Sequence, residues 1–398
     1  MTHENKFGMF IHWGIYSLTG LQEQAQIKGD LTREEYEGLM HRFDPTDYDP
    51  ERWVLLAKGA GMKYICFTAK HHDGFCMWNT AETDYNIMNT PYGKDTLLML
   101  ADACRKHGMG LSIYYSCPDW HHEHGYNPAS SHQWGAKRGK NIDTGKYISY
   151  VKAQVRELLS GYGKLYSFYW DIPPHIYDPS INEMIRSLQP GIFINDRGYD
   201  KGDFSTPERE FESAATARFT RMTEACNSIG EQSWGYREGE SYYSIRHLTS
   251  AIDRYMALGA SYVLNVAPDP KGVIPPEYET RLRRIGDWYC RMDGALECHE
   301  PDLFDYGVRS NFCIPTVKDG KTYLHFPEGL KSDSVSLEHY KSVPRSVRLL
   351  NTGAFLDAKI QKLPAYCGAD GKPKEHLYIT GIPVDSLASE AIVIEIDW

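Results

Sequence analysis

The feature that most restricts the fold of this chain is a regular alternation of short β-rich runs with longer helical patterns. The alternation continues from the N-terminus to about residue 295. The candidate strands are 8–13, 64–68, 111–116, 166–171, 192–196 and 262–266, and the candidate helices are 50–60, 96–107, 146–161, 180–189, 243–258 and 277–291. This pattern predicts a parallel sheet of the α/β class, in its simplest form a (β/α)8-like TIM barrel.

The C-terminal part of the chain has a different pattern, in which short alternating runs are separated by turn residues. The runs TYLHF, SVRLL, FLDAKIQKL, HLYIT and AIVIEID mix apolar and polar positions as half-buried strands do. The sequence therefore predicts a (β/α)8-like barrel over residues 1–297 and an antiparallel β-sandwich domain over residues 298–398.

Charge and composition exclude several classes of protein. The formal net charge is −10 without a long basic run, which argues against nucleic acid or an anionic membrane surface as a partner. Every apolar run is too short for a transmembrane helix. The nine cysteines form no CxxC pair, and the N-terminus has no basic-then-apolar leader. We therefore expect a reducing, cytoplasmic location.

Polar and ionisable residues stand at the ends of five candidate strands. His12 ends the first strand, residues 70–73 follow the second and residues 116–120 follow the third. Asp171 ends the fourth strand, and residues 196–197 end the fifth. Because the carboxyl ends of parallel strands meet at one edge of a barrel, we expect these groups to share one site.

Two carboxylates are the leading candidates for chemistry. Asp171 follows an aromatic strand and precedes two prolines that fix the exit of the chain, and Glu208 lies in a long polar loop that could swing over a pocket. Such a pair would suit glycoside hydrolysis, in which the separation of the carboxylates decides the stereochemistry. Alternatively, Asp171 could cap the following loop, and Glu208, like its competitors Glu23, Glu212 and Glu224, could be a solvated surface charge.

The histidines leave several interpretations open. The stretch 68–75 (TAKHHDGF) is compatible with a metal site, a catalytic dyad, contacts to sugar hydroxyls, or a loop that is simply hydrogen-bonded. The piece 120–124 (WHHEH) looks like a metal motif, but it lacks the HExxH spacing that places two ligands on one helical face. No glycine-rich phosphate-binding motif stands between a predicted strand and a predicted helix, which is where such a motif would bind a nucleotide. We therefore expect neither a cofactor nor a bound metal.

Taken together, these segments resemble family 29 glycoside hydrolases, the retaining α-L-fucosidases. The resemblance is spread over residues 7–295 and is carried by FGMFIHWGIYS (7–17), TAKHHDGF (68–75), GLSIYYSCPDW (110–120), FYWD (168–171), INDR (194–197), TPE (206–208) and YVLNVAPDPKGVIP (262–275). It implies exo-acting hydrolysis of terminal α-L-fucosyl residues by double displacement. The implied substrate is a fucosylated oligosaccharide or glycoconjugate, and the sequence sets no oligomeric state.

The resemblance also implies roles for individual residues. Asp171 would be the nucleophile, and Glu208 the acid/base with Glu224 in reserve. The other implied residues bind or border the sugar: His12, His71 and His72 at its hydroxyls, Glu23, Tyr114, Trp170 and Arg197 around the same pocket, and Phe10 and Trp234 against the C6 methyl group.

Three positions depart from the family pattern. Gln24 stands where many relatives have tryptophan, Tyr169 lies two residues before Asp171 in place of a tryptophan, and the run 172–174 (IPP) replaces a common glycine. These departures bear on substrate preference more than on reaction type. They also leave two alternatives, a fucose-binding barrel with weakened turnover and a metal-dependent hydrolase built on the histidines.

Overall fold

The centre of the molecule is a curled sheet of parallel strands. The computed structural model describes residues 7–125, 142–174, 176–209, 218–292, 294–297, 300–363 and 373–398. The parallel strands are β1 (Phe7–Ile11), β2 (Tyr64–Lys70), β3 (Gly110–Ser116), β4 (Ser167–Asp171), β5 (Phe193–Ile194), β6 (Glu224–Ser228) and β7 (Ser261–Val266). They form one seven-stranded sheet in the order β5-β4-β3-β2-β1-β7-β6. The predicted α/β class with a parallel sheet is therefore confirmed.

Helices connect these strands. In the described residues they are α1 (Ala25–Lys28), α2 (Arg33–Glu37), α3 (Pro50–Gly59), α4 (Thr96–His107), α5 (Thr144–Gly161), α6 (Pro179–Leu188), α7 (Ile245–Ala257) and α8 (Pro276–Arg291). The side chains of Asp49, Asp95 and Ser244 cap the first turns of α3, α4 and α7, and Gly108 in the left-handed conformation ends α4. Within the described ranges, no helix is both long and apolar enough to span a bilayer.

The strand β6 lies outside the predicted strands. Its sequence EACNS has neither an apolar run nor a clear alternation, although all five of its residues are buried. It pairs in parallel with β7, with Glu224 opposite Ser261 and Ser228 opposite Asn265. Pairing with β7 and burial on both faces stabilise this strand. Neither the pairing nor the burial can be read from a single sequence.

The segment 204–208 runs between β5 and β6 and makes single parallel bridges on both sides. The bridges are Asn195–Phe204, Ser205–Thr223 and Glu208–Cys226. The segment that carries Glu208 is therefore tied to the sheet at three points.

The C-terminal part forms antiparallel sheets, as the alternating runs predict. Its strands are β8 (Glu300–Pro301), β9 (Ile314–Lys318), β10 (Lys321–Phe326), β11 (Ser334–Leu337), β12 (Ser346–Leu349), β13 (Ala354–Phe355), β14 (Asp357–Leu363), β15 (Lys374–Thr380) and β16 (Ile392–Asp397). One sheet has the order β13-β12-β16-β10-β9-β8 and the other β11-β15-β14. Apolar side chains of both sheets, including Leu324 and Leu377, belong to one buried cluster.

Candidate active site

A pocket opens at the C-terminal ends of the parallel strands and gathers most of the predicted site residues. Ten of the twelve line it: Phe10, His12, Glu23, His71, His72, Tyr114, Asp171, Arg197, Glu208 and Trp234. These residues come from strand ends and from the loops that follow them. The topology of a parallel sheet thus brings distant parts of the sequence to one edge, as expected.

Asp171 is the last residue of β4, and both oxygens of its carboxylate accept hydrogen bonds. The Tyr114 hydroxyl donates to Oδ2 at 2.7 Å, and Arg197 Nη1 donates to Oδ1 at 3.0 Å. Burial would raise the pKa of Asp171, but the Arg197 charge and these donors outweigh it and hold the pKa below its ordinary value. Its side chain is 14% exposed, so an ionised carboxylate faces the pocket.

Arg197 joins Asp171 to the second carboxylate, Glu208. The same Nη1 donates to Glu208 Oε2 at 2.8 Å, while Nη2 donates to the Thr206 carbonyl at 2.7 Å. Because both ion pairs end on one nitrogen, the nearest oxygens of Asp171 and Glu208 are at most about 6 Å apart. The Glu208 side chain is 38% exposed, so it lies at the open side of the pocket.

Three histidines line the pocket, and neighbouring groups orient two of them. His12 Nδ1 lies 2.7 Å from Asn265 Oδ1, and His72 Nδ1 lies 2.6 Å from Ser116 Oγ. Because an amide oxygen only accepts, His12 carries its proton on Nδ1, which leaves Nε2 as an acceptor. Burial lowers the pKa of His12, so the ring is neutral at pH 7. His71 packs on His72 with the ring centroids 4.0 Å apart.

Glu23 fixes the aromatic wall of the pocket. Its Oε2 accepts backbone N–H bonds from Trp234 at 3.1 Å and from Gly235 at 3.0 Å. Burial would raise the pKa of Glu23, but these donors and others hold it below its ordinary value. The Trp234 ring lies 5.3 Å from the His12 ring and 6.3 Å from the Phe10 ring, measured between centroids. One ionised carboxylate therefore both lines the pocket and positions its apolar side.

Two predicted site residues lie elsewhere, and we correct both predictions. Trp170 precedes Asp171 in β4, so its side chain points to the opposite face, where Nε1 donates to Asn182 Oδ1 of α6 at 2.9 Å. Glu224 is the first residue of β6, at the far end of the strand from the pocket. Its buried carboxylate accepts a hydrogen bond from the Tyr64 hydroxyl. Trp170 is thus no sugar contact, and Glu224 is no candidate for the acid/base.

Four further residues line the pocket: Gln24, Tyr169, Ile172 and Cys226. Sequence reasoning singles out the first three only as departures from a family pattern. Cys226 carries no signal at all, because it is a single cysteine within the unpredicted strand β6. Its Sγ lies 3.7 Å from the Tyr169 hydroxyl.

The remaining ionisable residues of the stretch 68–75 have partners outside the pocket. Lys70 is buried and pairs with Asp119 Oδ2 at 2.8 Å, and Asp73 accepts a bond from the Tyr36 hydroxyl at 2.8 Å. Burial raises the pKa of Asp73 to about 7. In the part of the chain that the structure describes, no three His, Cys, Asp or Glu side chains gather as metal ligands. Lys70 and Asp73 therefore stabilise the loop.

Hydrolysis of a glycosidic bond needs an ionised carboxylate beside a second one that is open to the leaving group, and Asp171 and Glu208 meet this requirement. The site therefore places the protein among the glycoside hydrolases. Comparison with known sequences narrows the class. The chain belongs to the alpha-L-fucosidase family, whose family model matches residues 2–293.

Relatives and solved structures agree with this assignment. The tissue alpha-L-fucosidase of Rattus norvegicus is 26% identical over 365 residues, which cover 82% of this chain and 76% of the relative. The structure of alpha-L-fucosidase isoenzyme 1 from Paenibacillus thiaminolyticus superimposes with a TM-score of 0.85 at 28% identity, covering 99% of this chain and 97% of that one. The Thermotoga maritima alpha-fucosidase, solved in complex with a mechanism-based inhibitor, has a TM-score of 0.78 at 25% identity and covers 100% and 96% of the two chains.

Proposed function

We propose that the protein is a retaining, exo-acting α-L-fucosidase in which Asp171 is the nucleophile and Glu208 the acid/base. The observation that carries the proposal is the shared Arg197, which keeps the nearest oxygens of the two carboxylates within about 6 Å. Retaining glycosidases hold these groups about 5 Å apart, whereas inverting enzymes separate them by about 6.5 to 9.5 Å to admit a water molecule. The separation supports double displacement.

In the first step, the Asp171 carboxylate attacks the anomeric carbon as the bond to the leaving oxygen breaks. Asp171 is suited to this role because its low pKa keeps it ionised, while Tyr114 and Arg197 hold its oxygens in place. Glu208 transfers its proton to the leaving oxygen. The products of this step are the free aglycone and a fucosyl ester of Asp171, and Arg197 is placed to stabilise the new charge on Glu208.

In the second step, Glu208 takes a proton from water, whose oxygen attacks the anomeric carbon. The ester bond breaks, its electron pair returns to Asp171, and fucose leaves with the configuration of the substrate. The position of Glu208 at the open side of the pocket supports this role, because both the aglycone and the water enter from that side.

Recognition of the sugar divides between polar and apolar groups. A neutral His12, whose Nδ1–H is bonded to Asn265, offers Nε2 as an acceptor, and a site that bonds each hydroxyl discriminates strongly against sugars that lack one. Burial of a methyl group against Phe10 and Trp234 contributes only about 1 kcal/mol. The hydroxyl contacts therefore decide specificity, and we propose terminal α-L-fucosyl residues of oligosaccharides or glycoconjugates as substrate.

Azide rescue tests both roles in one experiment. With an aryl α-L-fucoside and azide, Asp171→Gly should yield the β-fucosyl azide, because azide replaces the nucleophile in a single inversion. Glu208→Ala should yield the α-fucosyl azide, because azide then attacks the β-linked enzyme ester. Near-wild-type hydrolysis by Asp171→Gly would refute the proposal. Tight fucose binding by a wild-type protein that releases no aryl alcohol would favour the non-catalytic alternative.

We also propose the finer architecture. The bridges on both sides of 204–208 support a barrel closed through this segment, and the apolar cluster shared by the C-terminal sheets supports a β-sandwich over 298–398. Limited proteolysis near residue 297 followed by calorimetry would test this boundary. A cytoplasmic location remains part of the proposal, and the free Cys66, Cys76, Cys104, Cys117, Cys226, Cys290 and Cys313 are compatible with it. Fractionation of the native source would test it.

A further inference from the structure

Two residues with a strained backbone directly follow the two catalytic carboxylates. In the described chain, four non-glycine residues have left-handed φ angles, and these are Ile172 (55°), Arg209 (53°), Ser310 (63°) and Asp319 (51°). This conformation costs an L-residue about 1–2 kcal/mol, so it persists only where surrounding contacts enforce it. Ile172 follows Asp171, and Arg209 follows Glu208. The contacts of Arg209 show what enforces its conformation.

The backbone on either side of Glu208 is pinned to β6. The N–H of Cys226 donates to the Pro207 carbonyl at 3.0 Å, and the N–H of Arg209 donates to the Cys226 carbonyl at 3.0 Å. Glu208 lies between these two bonds, so its main chain is as fixed as that of a strand. Its side chain remains 38% exposed and bonded to Arg197. Arg209 itself forms a left-handed turn, with a φ angle of 53°.

The Arg209 side chain secures this turn against the aromatic wall. Its guanidinium carbon lies 4.4 Å above the Trp234 ring, within the range of a cation–π interaction, and Nη1 donates to the Glu231 carbonyl at 2.7 Å. The Trp234 ring also contacts His12, and its backbone N–H is held by Glu23. Contacts thus run from Glu23 through Trp234 and Arg209 to the segment that carries Glu208.

We propose that Arg209 is a positioning residue that couples the sugar-binding wall to the acid/base. Arg209 is not among the residues that line the pocket, and it is Arg197 that pairs with Glu208, so Arg209 acts through Trp234 and through the backbone. Displacement of Trp234 is transmitted to Glu208 by the same contacts. This inference rests on the proposed function, because it presumes that Glu208 protonates the leaving group.

Two substrates that share the fucosyl group but differ in the leaving group can distinguish a role of Arg209 in positioning the acid from a general structural role. The 2-chloro-4-nitrophenyl leaving group departs without protonation, whereas the sugar leaving group of an α-L-fucosyl disaccharide needs Glu208. Arg209→Gln should lower kcat/KM for the disaccharide about tenfold or more and leave that for the aryl fucoside within about threefold. Arg209→Lys keeps a cation over Trp234 and should recover part of the loss.

Two controls make the outcome decisive. Arg283→Gln removes a surface arginine that pairs with Glu279 and should change neither value, and thermal unfolding should show that every variant is folded. Combined with Glu208→Ala, Arg209→Gln should cause no further loss on the disaccharide. Equal losses on both substrates, no loss, or additive losses would overturn the positioning role. If Glu208→Ala alone shows no dependence on the leaving group, the proposed function fails instead.

Discussion

The two ends of the parallel sheet hold the same pair of groups, a carboxylate and a tyrosine hydroxyl, but the pKa values of the two carboxylates are shifted in opposite directions. At the C-terminal end, Tyr114 donates to Asp171, whose pKa lies below its ordinary value. At the other end, Tyr64 donates to Glu224, whose pKa burial raises to about 7. At Asp171 the charge of the contacting Arg197, with other groups, outweighs burial, whereas at Glu224 burial outweighs the groups that lower its pKa. A desolvated carboxylate therefore stays ionised where a nearby cation offsets its desolvation.

Among the substitutions predicted here, removal of the Arg197 charge should produce the largest change in kcat/KM. Arg197→Gln should lower kcat/KM for an aryl α-L-fucoside by about a hundredfold or more. The reason is that Asp171 and Glu208 both lose the charged donor that holds them in place. Without the positive charge the pKa of Asp171 rises, so the acidic limb of the pH profile should move to higher pH. The measurement is kcat/KM against pH for wild type, Arg197→Gln and the charge-conserving Arg197→Lys. An acidic limb that stays in place would contradict the comparison.

A substitution at the opposite end of the sheet should change the stability of the fold and leave catalysis nearly intact. We expect Glu224→Gln to keep kcat/KM within about threefold of wild type, because the residue lies away from the pocket. Since the pKa of Glu224 is raised to about 7, its stabilising contribution is complete below the ordinary value of 4.5 and is lost as pH rises through 7. Over that window the loss should amount to roughly 3 kcal/mol at most.

Urea unfolding at pH 5 and pH 8 measures this contribution. Wild type should lose free energy of unfolding between the two conditions, and Glu224→Gln should lose less. Asp73→Asn is the matched control, because burial also raises the pKa of Asp73 to about 7 and the sign of its contribution is the same. A hundredfold loss of activity in Glu224→Gln would return Glu224 to the candidates for catalysis.

The sequence predicts the strands and helices that display strong periodicity. The helix 96–107 and the strand that starts at Tyr64 are found where apolar spacing places them, and the helix N-caps are residues that the sequence displays directly. By contrast, β6 carries no periodicity, so Glu224 is interpreted as a surface charge or a reserve acid/base, and Cys226 is missed. Their positions depend on pairing with β7, which is a long-range contact.

The site likewise has features that the sequence predicts and features that depend on long-range contacts. Convergence of strand ends follows from parallel topology, which is why His12 and Asp171 meet as predicted. The direction of a side chain at a given strand position depends on register, and a shift of one residue moves it to the other face. Trp170 is therefore misplaced by sequence reasoning even though its neighbour Asp171 is not. The contact of Arg197 with both Asp171 and Glu208 depends on distances in the folded chain, and no sequence motif encodes these distances.

The smallest predicted effect concerns backbone strain beside Asp171. Ile172→Gly should raise the thermal midpoint slightly or leave it unchanged, because relief of the left-handed strain offsets the lost side chain and the added chain entropy. Ile360→Gly, at a half-exposed position of β14, should instead lower stability by about 1 kcal/mol. Scanning calorimetry of the two variants makes the comparison. A larger loss in Ile172→Gly than in Ile360→Gly would show that its backbone is not strained.

The central claim is that the Asp171 carboxylate becomes covalently bound to the sugar. A 2-deoxy-2-fluoro-α-L-fucosyl fluoride tests it directly, because its fluoride leaves readily while the fluorine at C2 slows release of the sugar from the enzyme. Peptide mass spectrometry after acidic digestion should locate one fluorofucosyl group on Asp171, and Asp171→Gly should remain unlabelled. A label on Glu208 or another carboxylate, or active wild-type enzyme without a label, would contradict the account.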